Sequence, residues 1–342
     1  GKGGKGGSGG VGDAGLGAGS GAFRLDMGQA IEDDGKPQDP LTEAQKEMAK
    51  KAYARRLQEL AAQVPQLEKY QQLREAVRLQ VAEMRIVLES HEARERERVW
   101  LRQQTHGELD DARLVDGITG ARAIYVRRGE PDPGGFQGEQ KLPKRMSFML
   151  DISGSMYAFN RIDRRLDRLQ ELVVFLLEAF EGMERRYDIR MVGHSGTGAE
   201  AEKLVDWGKA PRTPAERLDI IERMGAHAQY CAPGDSSVAA VQAAIREVVK
   251  EPADEYFVFL VSDADLARYG ITGDRVSKEL MKDKRVRAYT VFISNKAGEA
   301  DEIIRAVAPG RAHVCADNAS LSTTFKTIFM HAMRIAEDAE RT

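Results

Sequence analysis

The distribution of apolar residues divides the chain into a helical first part and a second part in which strands and helices alternate. Between Leu41 and Thr105, apolar residues recur at three- and four-residue steps, which is typical of amphipathic helices. From Leu142 onward, strand-length apolar runs alternate with longer amphipathic stretches. Such alternation favours a parallel sheet covered by helices on both faces. We therefore predict an α/β fold, a doubly wound and mostly parallel sheet, preceded by a helical arm.

Two helices are expected in the arm. Thr42 and Gln45 match a capping box at the start of the first helix, and Pro65 ends it. A second apolar stripe runs from Leu67 to Leu88. The charged segment beyond it is typical of a solvated face, with a docking surface for a neighbouring domain as the alternative. The apolar stripe expected on the first helix consists of Met48, Ala52 and Leu57.

The second part contains enough elements for a complete sheet with right-handed crossovers. Besides the run that ends at Asp151, the expected strands are 187–193, 203–207, 256–261, 286–293 and 312–315. The expected helices are 164–180, 215–224, 236–249 and 325–336.

A polar turn follows the first apolar run of this second part. Met146 to Leu150 reads as a strand buried on both faces, and Asp151, Ser153 and Ser155 come directly after it. Ligands of open α/β sheets bind beyond the carboxyl ends of such strands. Carboxylate and hydroxyl oxygens suit a small, hard cation that keeps some of its waters, so we expect Mg²⁺ here. A plain turn is the alternative, because Asp, Ser and Gly are ordinary turn residues.

This Asp-x-Ser-x-Ser pattern resembles the metal-ion-dependent adhesion site of von Willebrand factor type A domains. In that family the two serines bind the metal, and a loop threonine and a second strand-end aspartate complete the site. Here the second aspartate is Asp263, after the apolar run 256–261. Within the loop that begins at Pro233, Ser237 matches the threonine best and Ser236 is the second choice. The metal ligands that the resemblance implies are Asp151, Ser153, Ser155, Ser237 and Asp263.

Four residues near these positions leave alternatives open. Asp265 is either a carboxylate that supports the metal ligands without binding the metal itself or, as we favour, a helix cap. His194 ends the second main strand, as a buried or rim histidine or as a hydrogen-bonding partner of the site. His227 and Cys231 lie four residues apart but have no second pair nearby, which argues against zinc.

The resemblance extends over nearly the whole chain. The segments LDISGSMYAFN, VGHSG and DEYFVFLVSDADLARYGI are similar to the C-terminal part of the family of von Willebrand factor A domain-containing protein 8. That resemblance implies AAA+ ATPase modules upstream in the same protein, which would use ATP, and a mitochondrial location. The segment around residues 107–128 is also similar to the region before the type A domain in magnesium chelatase subunits and midasin.

Composition and charge exclude several classes of function. The net charge of −3 provides no basic surface for nucleic acid, and no apolar stretch is long enough to span a membrane. The two cysteines, Cys231 and Cys315, are too few for a disulfide framework and suit a reducing compartment.

A literal G-x-G-x-x-G at Gly7, Gly9 and Gly12 lacks the flanking strand and helix of a dinucleotide site. The sequence also lacks G-x-x-x-x-G-K-[ST], so we expect no ATPase site in it.

These observations predict four regions: a Gly-rich linker (1–40), a helical hairpin or arm (41–106), a helix/strand extension with a loop (107–141) and a type A domain (142–342). The chain opens inside a low-complexity run without an initiator Met, so we expect a piece of a longer protein.

The expected function is a metal-dependent protein-binding module, in which Mg²⁺ is bridged to an Asp or Glu of a protein partner and which serves the AAA+ ATPase. We expect no enzyme in this chain. A metal-assisted hydrolase and a scaffold with a vestigial metal site are the alternatives.

Overall fold

The computed structural model describes residues 43–62, 67–97, 100–110, 124–128, 142–231, 234–263, 270–293, 304–315, 320 and 323–329. The expected Gly-rich linker, the expected N-cap Thr42, Pro233, Asp265 and the end of the last expected helix lie outside these residues.

The described helices are α1 (Glu43–Ala62), α2 (Leu67–Ala76), α3 (Arg78–Glu97), α4 (Gly154–Ala158), α5 (Asn160–Asp163), α6 (Arg165–Ala179), α7 (Pro214–Tyr230), α8 (Ser237–Val248), α9 (Gly273–Leu280) and α10 (323–329). The described strands are β1 (Trp100–Gln104), β2 (Glu108–Leu109), β3 (Tyr125–Arg128), β4 (Lys144–Asp151), β5 (Tyr187–Ser195), β6 (Gly198–Val205), β7 (Tyr256–Ser262), β8 (Val286–Ile293) and β9 (Ala312–Cys315).

Six strands form the main sheet, in the order β6-β5-β4-β7-β8-β9. Strand β6 is antiparallel to β5 at one edge, and every other neighbouring pair in this sheet is parallel. The predicted α/β class with a mostly parallel sheet is therefore confirmed. Strands β4 and β7 are neighbours, so Asp151 and Asp263 emerge at the same edge of the sheet.

Side chains alternate along each strand, so the sheet has two apolar faces. Each face is covered by a different set of helices. Phe148 and Leu150 of β4 face a core that includes residues of α6, α7 and α10. Met149 of the same strand faces a second core with residues of α8 and α9. The polar residues that end the strands are thus positioned by two fully packed apolar layers.

The helical arm packs on the first of these faces. Tyr70, Val77, Met84 and Leu88 of the arm belong to the same apolar cluster as the inner residues of α6. Two details differ from the prediction. The second helix is broken at Val77 into α2 and α3, and Met48 is 52% exposed while the neighbouring Ala49 is buried. The contact with α7 determines which side of α1 faces inward, and the apolar stripe alone did not identify it.

A small antiparallel sheet with the order β1-β3-β2 lies between the arm and the main sheet in sequence. The prediction placed Trp100–Gln104 in the helical arm, but the structure shows these residues as a strand. Pairing with β3 supplies their backbone hydrogen bonds, a long-range partner that helical periodicity does not reveal. Among the described helices, none is long and apolar enough to cross a membrane.

Candidate metal centre

Asp151 is the last residue of β4 and is 1% exposed. Both of its carboxylate oxygens are held: the Ser153 N–H donates to Oδ1 at 3.0 Å, and the Ser262 hydroxyl donates to Oδ2 at 3.2 Å. Burial raises the pKa of the Asp151 carboxyl, while nearby His194 lowers it and the charge of Asp235 raises it further. The carboxylate is therefore fixed in place where a positive charge would stabilise its ionised form.

The two serines of the motif lie side by side. The Oγ atoms of Ser153 and Ser155 are 2.9 Å apart, and the Ser155 hydroxyl also reaches Asp263 Oδ2 at 3.0 Å. In an octahedral Mg²⁺ site with oxygens at about 2.0–2.1 Å, neighbouring ligand oxygens lie about 2.9 Å apart. The spacing of the two hydroxyls thus matches one edge of a magnesium octahedron.

Asp263 follows β7 directly and is bound by an arginine that sequence reasoning missed. Arg165 Nη1 donates to Asp263 Oδ2 at 2.5 Å, and the same guanidinium donates to Asp163 at 2.5–3.1 Å. The Arg165 side chain is 12% exposed. In sequence, Arg165 is one of several basic residues on an amphipathic helix, so only its contact with Asp263 identifies it as part of the site.

Ser237 lies at the start of α8 and is fully buried. Its N–H and hydroxyl donate to Asp235 at 2.6 and 2.9 Å, and Asp235 in turn acts electrostatically on Asp151. Ser236, the second choice, precedes the helix and makes no capping hydrogen bond through its side chain. The loop therefore brings a carboxylate, Asp235, into the neighbourhood of the predicted ligands, a residue that sequence reasoning also missed.

Gly234 allows this loop to approach the sheet. Its φ of +127° is a conformation that side chains rarely adopt, and a Cβ there would lie 3.2 Å from the Gly196 Cα. The close contact places the loop against the turn between β5 and β6.

No protein-family model matches the chain. Over 326 residues, 94% of the chain, it is 39% identical to von Willebrand factor A domain-containing protein 8 of the mouse, Mus musculus. The chain belongs to this family. It spans 17% of the length of the mouse protein.

The similarity to solved structures is weaker. The pilus adhesin SpaC from Lactobacillus rhamnosus GG is 13% identical, with 55% of this chain and 30% of that chain covered and a TM-score of 0.40. The vWF domain of the type V pili tip protein Mfa5 from Porphyromonas gingivalis is 18% identical, with 36% and 39% covered and a TM-score of 0.26.

Within this family member, the donor set suits a hard cation better than zinc. No group of three or more His, Cys, Asp or Glu side chains in the described part of the chain is arranged to hold a metal ion. His227 instead hydrogen-bonds Ser195 at 3.1 Å, and the Cys231 thiol lies 3.7 Å from the Ile152 carbonyl oxygen. The predicted centre relies on hydroxyl oxygens between two carboxylates, which fits Mg²⁺ chemistry. Asp151, Ser153, Ser155 and Asp263 are brought together, while Ser237 is paired with Asp235.

Proposed function

We propose that this chain is a metal-dependent protein-binding module, with Mg²⁺ held at the carboxyl ends of β4 and β7. One observation carries the proposal: two adjacent serine hydroxyls lie between two buried aspartates at the carboxyl ends of neighbouring strands. Ser153 and Ser155 would bind the ion, and Asp151 and Asp263 would offset its charge. Ser237 would supply the loop hydroxyl that the type A domain pattern requires.

The partner would present an Asp or Glu side chain. A carboxylate can replace a metal-bound water because its charge compensates for the lost hydration, whereas a neutral hydroxyl or amide binds more weakly and a Lys is repelled. Such a contact provides specificity through one bond and little buried area.

The module would serve AAA+ ATPase modules upstream in the same protein, in mitochondria. This part of the proposal is supported by family membership and by the chain's 17% share of the mouse relative's length. An acidic loop of those modules is a candidate ligand. ATP would be used there and not in this chain.

Binding explains the site better than hydrolysis does. A metal-assisted hydrolase needs a general base within reach of a substrate. His194, one of the two candidates, is fully buried, and Asp265, the other, lies outside the described residues. We therefore propose no catalytic residue.

Calorimetric titration with Mg²⁺ tests the metal site. We expect the wild-type chain to bind Mg²⁺ and Asp151→Ala to lose that binding while remaining folded, because the apolar strands and not this carboxylate hold the sheet together. Asp254→Ala is the matched control, since Asp254 accepts the Leu142 N–H at the opposite end of the sheet, away from the predicted ligands. Equal affinity in the wild type and in Asp151→Ala would disprove the assignment.

Partner binding is tested separately, at fixed ionic strength. Proteins captured with Mg²⁺ are expected to be lost with EDTA and with the double variant Ser153→Ala/Ser155→Ala. Equal capture under all three conditions would favour the scaffold alternative with a vestigial site.

A further inference from the structure

His194 is a buried histidine whose ring has no hydrogen-bonding partner among the residues that the structure describes. It is 0% exposed, and both Nδ1 and Nε2 are without a partner there. A buried polar group left unpaired costs folding free energy, so such groups in native proteins are normally satisfied by protein, ordered water or an ion. The ring of His194 therefore requires an explanation from its surroundings.

A second buried histidine nearby shows that this region of the fold can pair an imidazole. His227 is also buried, and its Nε2 lies 3.1 Å from the Ser195 hydroxyl. Ser195 directly follows His194 in β5, on the opposite face of the strand. His227 keeps one unpaired nitrogen, Nδ1, whereas both ring nitrogens of His194 are unpaired among the described residues.

The face on which His194 lies is the one that carries the candidate metal centre. Asp151 and His194 are register partners in the parallel pair β4–β5, so their side chains leave the sheet on the same side. Two residues earlier, Met149 and Val192 pack in the core beneath α8. Both polar side chains therefore project towards the beginning of α8, and the imidazole is close enough to Asp151 to influence its pKa.

We propose that His194 is a positioning residue of the metal centre: its ring hydrogen-bonds a water that is bound to the metal ion and also held by Asp151. This inference rests on the proposed function and adds to it the group that orients a ligand water. It accounts for one of the two unpaired nitrogens of the ring, because the bound water would hydrogen-bond that nitrogen once the hydrated ion is in place. Outer hydrogen-bonding partners of metal ligands typically contribute about 10- to 100-fold to metal affinity.

The test compares His194→Leu and His194→Gln with the wild type, in the whole chain. Mg²⁺ affinity is measured by calorimetry, and the melting temperature is measured in EDTA. We expect His194→Leu to weaken Mg²⁺ binding about 10- to 100-fold without lowering the melting temperature of the metal-free protein. The reason is that leucine removes an unpaired buried polar group. His194→Gln keeps a polar end and should recover part of the affinity.

His227→Leu is the matched control. It removes a buried histidine of the same type whose hydrogen bond to Ser195 is already made. We expect it to lower the metal-free melting temperature and to leave Mg²⁺ affinity unchanged. His194→Leu should therefore change only the Mg²⁺ affinity, and His227→Leu should lower only the metal-free melting temperature.

Two results would overturn the inference. If His194→Leu melted lower in EDTA but bound Mg²⁺ like the wild type, His194 would only pack the core, and the proposed function would stand as long as Asp151→Ala abolished binding. If the wild-type chain bound no Mg²⁺, both the inference and the proposed function would fall.

Discussion

Arg165 is a largely buried cation, 12% exposed, in a site that is proposed to bind another cation. Its guanidinium lies between Asp163 and Asp263, and its Cζ is 4.8 Å from the centre of the Phe159 ring. Burial alone would lower the pKa of Arg165, but the hydrogen bonds and charges of the two aspartates raise it. Arg165 therefore offsets the charge of Asp263 in the protein without a metal ion, and it stays charged at any physiological pH.

Replacing this arginine should change the response to metal. We expect Arg165→Met to lower the stability of the metal-free protein by about 3 kcal/mol, because the buried carboxylate of Asp263 loses the charge of its ion-pair partner. Mg²⁺ then supplies the missing charge, so the rise in melting temperature on adding Mg²⁺ should be larger than in the wild type. Arg78→Met is the control, since its pair with Glu75 is exposed on both sides and contributes at most about 1 kcal/mol. An equal or smaller Mg²⁺-induced rise in Arg165→Met would show that Arg165 does not take the place of the metal's charge.

His227 makes the fold sensitive to mild acid. Burial lowers its pKa from 6.5 to about 4, so between these values the unfolded chain binds a proton that the folded chain does not. Stability is therefore complete above pH 6.5 and declines as the pH falls towards 4, by about 3 kcal/mol in total. We expect His227→Gln to lose less stability than the wild type between pH 7.5 and pH 4.5. Urea unfolding at both values measures the difference, and equal losses would contradict this assignment.

At the level of the elements, a buried charge cluster joins the arm to the main domain. Glu178 of α6 accepts hydrogen bonds from Tyr70 of α2 and from Arg217 of α7, the latter at 2.5 Å. Burial would raise the pKa of Glu178, but these two donors lower it below its ordinary value. Arg85 of α3 adds a hydrogen bond of 2.6 Å to the Glu178 carbonyl oxygen. One residue of α6 thus connects three other helices.

Removing the charge of Glu178 should loosen this junction. We expect Glu178→Gln to lower the free energy of unfolding by about 3 kcal/mol, since the buried charge of Arg217 would lose its buried carboxylate and keep only its pair with the more exposed Glu181. Cleavage of the arm by protease at low concentration should also become faster. Glu181→Gln provides the comparison: it removes a more exposed carboxylate from the same cluster and should cost less than about 1 kcal/mol. A Glu178→Gln protein as stable as the Glu181→Gln protein would show that the cluster does not hold the arm.

At the scale of the whole molecule, the arm and the sheet share one core. Tyr70 and Met84 of the arm lie in the same apolar cluster as Phe148 of the central strand. The opposite face of the sheet is closed by α8 and α9, and the candidate site lies at the carboxyl ends of the central strands. The arm is therefore a structural layer of the domain. The exposed charged residues of α1 and α2 form its outer surface.

The sequence by itself determined the α/β class and most of the candidate site. Strand-length apolar runs alternating with amphipathic stretches depend only on neighbours in the chain, and they predicted the strands of the main sheet. Asp151, Ser153 and Ser155 were found because a polar turn interrupts an apolar run, and Asp263 because it ends another. These signals depend on neighbouring residues in the chain, so they can be recognised without knowledge of the fold.

Only the tertiary structure decided which distant groups meet. The strand order places β4 beside β7, and the contact of Arg165 with Asp263 joins residues 98 positions apart. The contact of Tyr70 with Glu178 spans 108 positions and attaches the arm to α6. Whether an apolar or charged side chain faces inward depends on the element that packs against it. The periodicity of apolar residues does not identify that element. For the same reason, the extended conformation of Trp100–Gln104 and the unpaired ring of His194 become apparent only once the sheets are assembled.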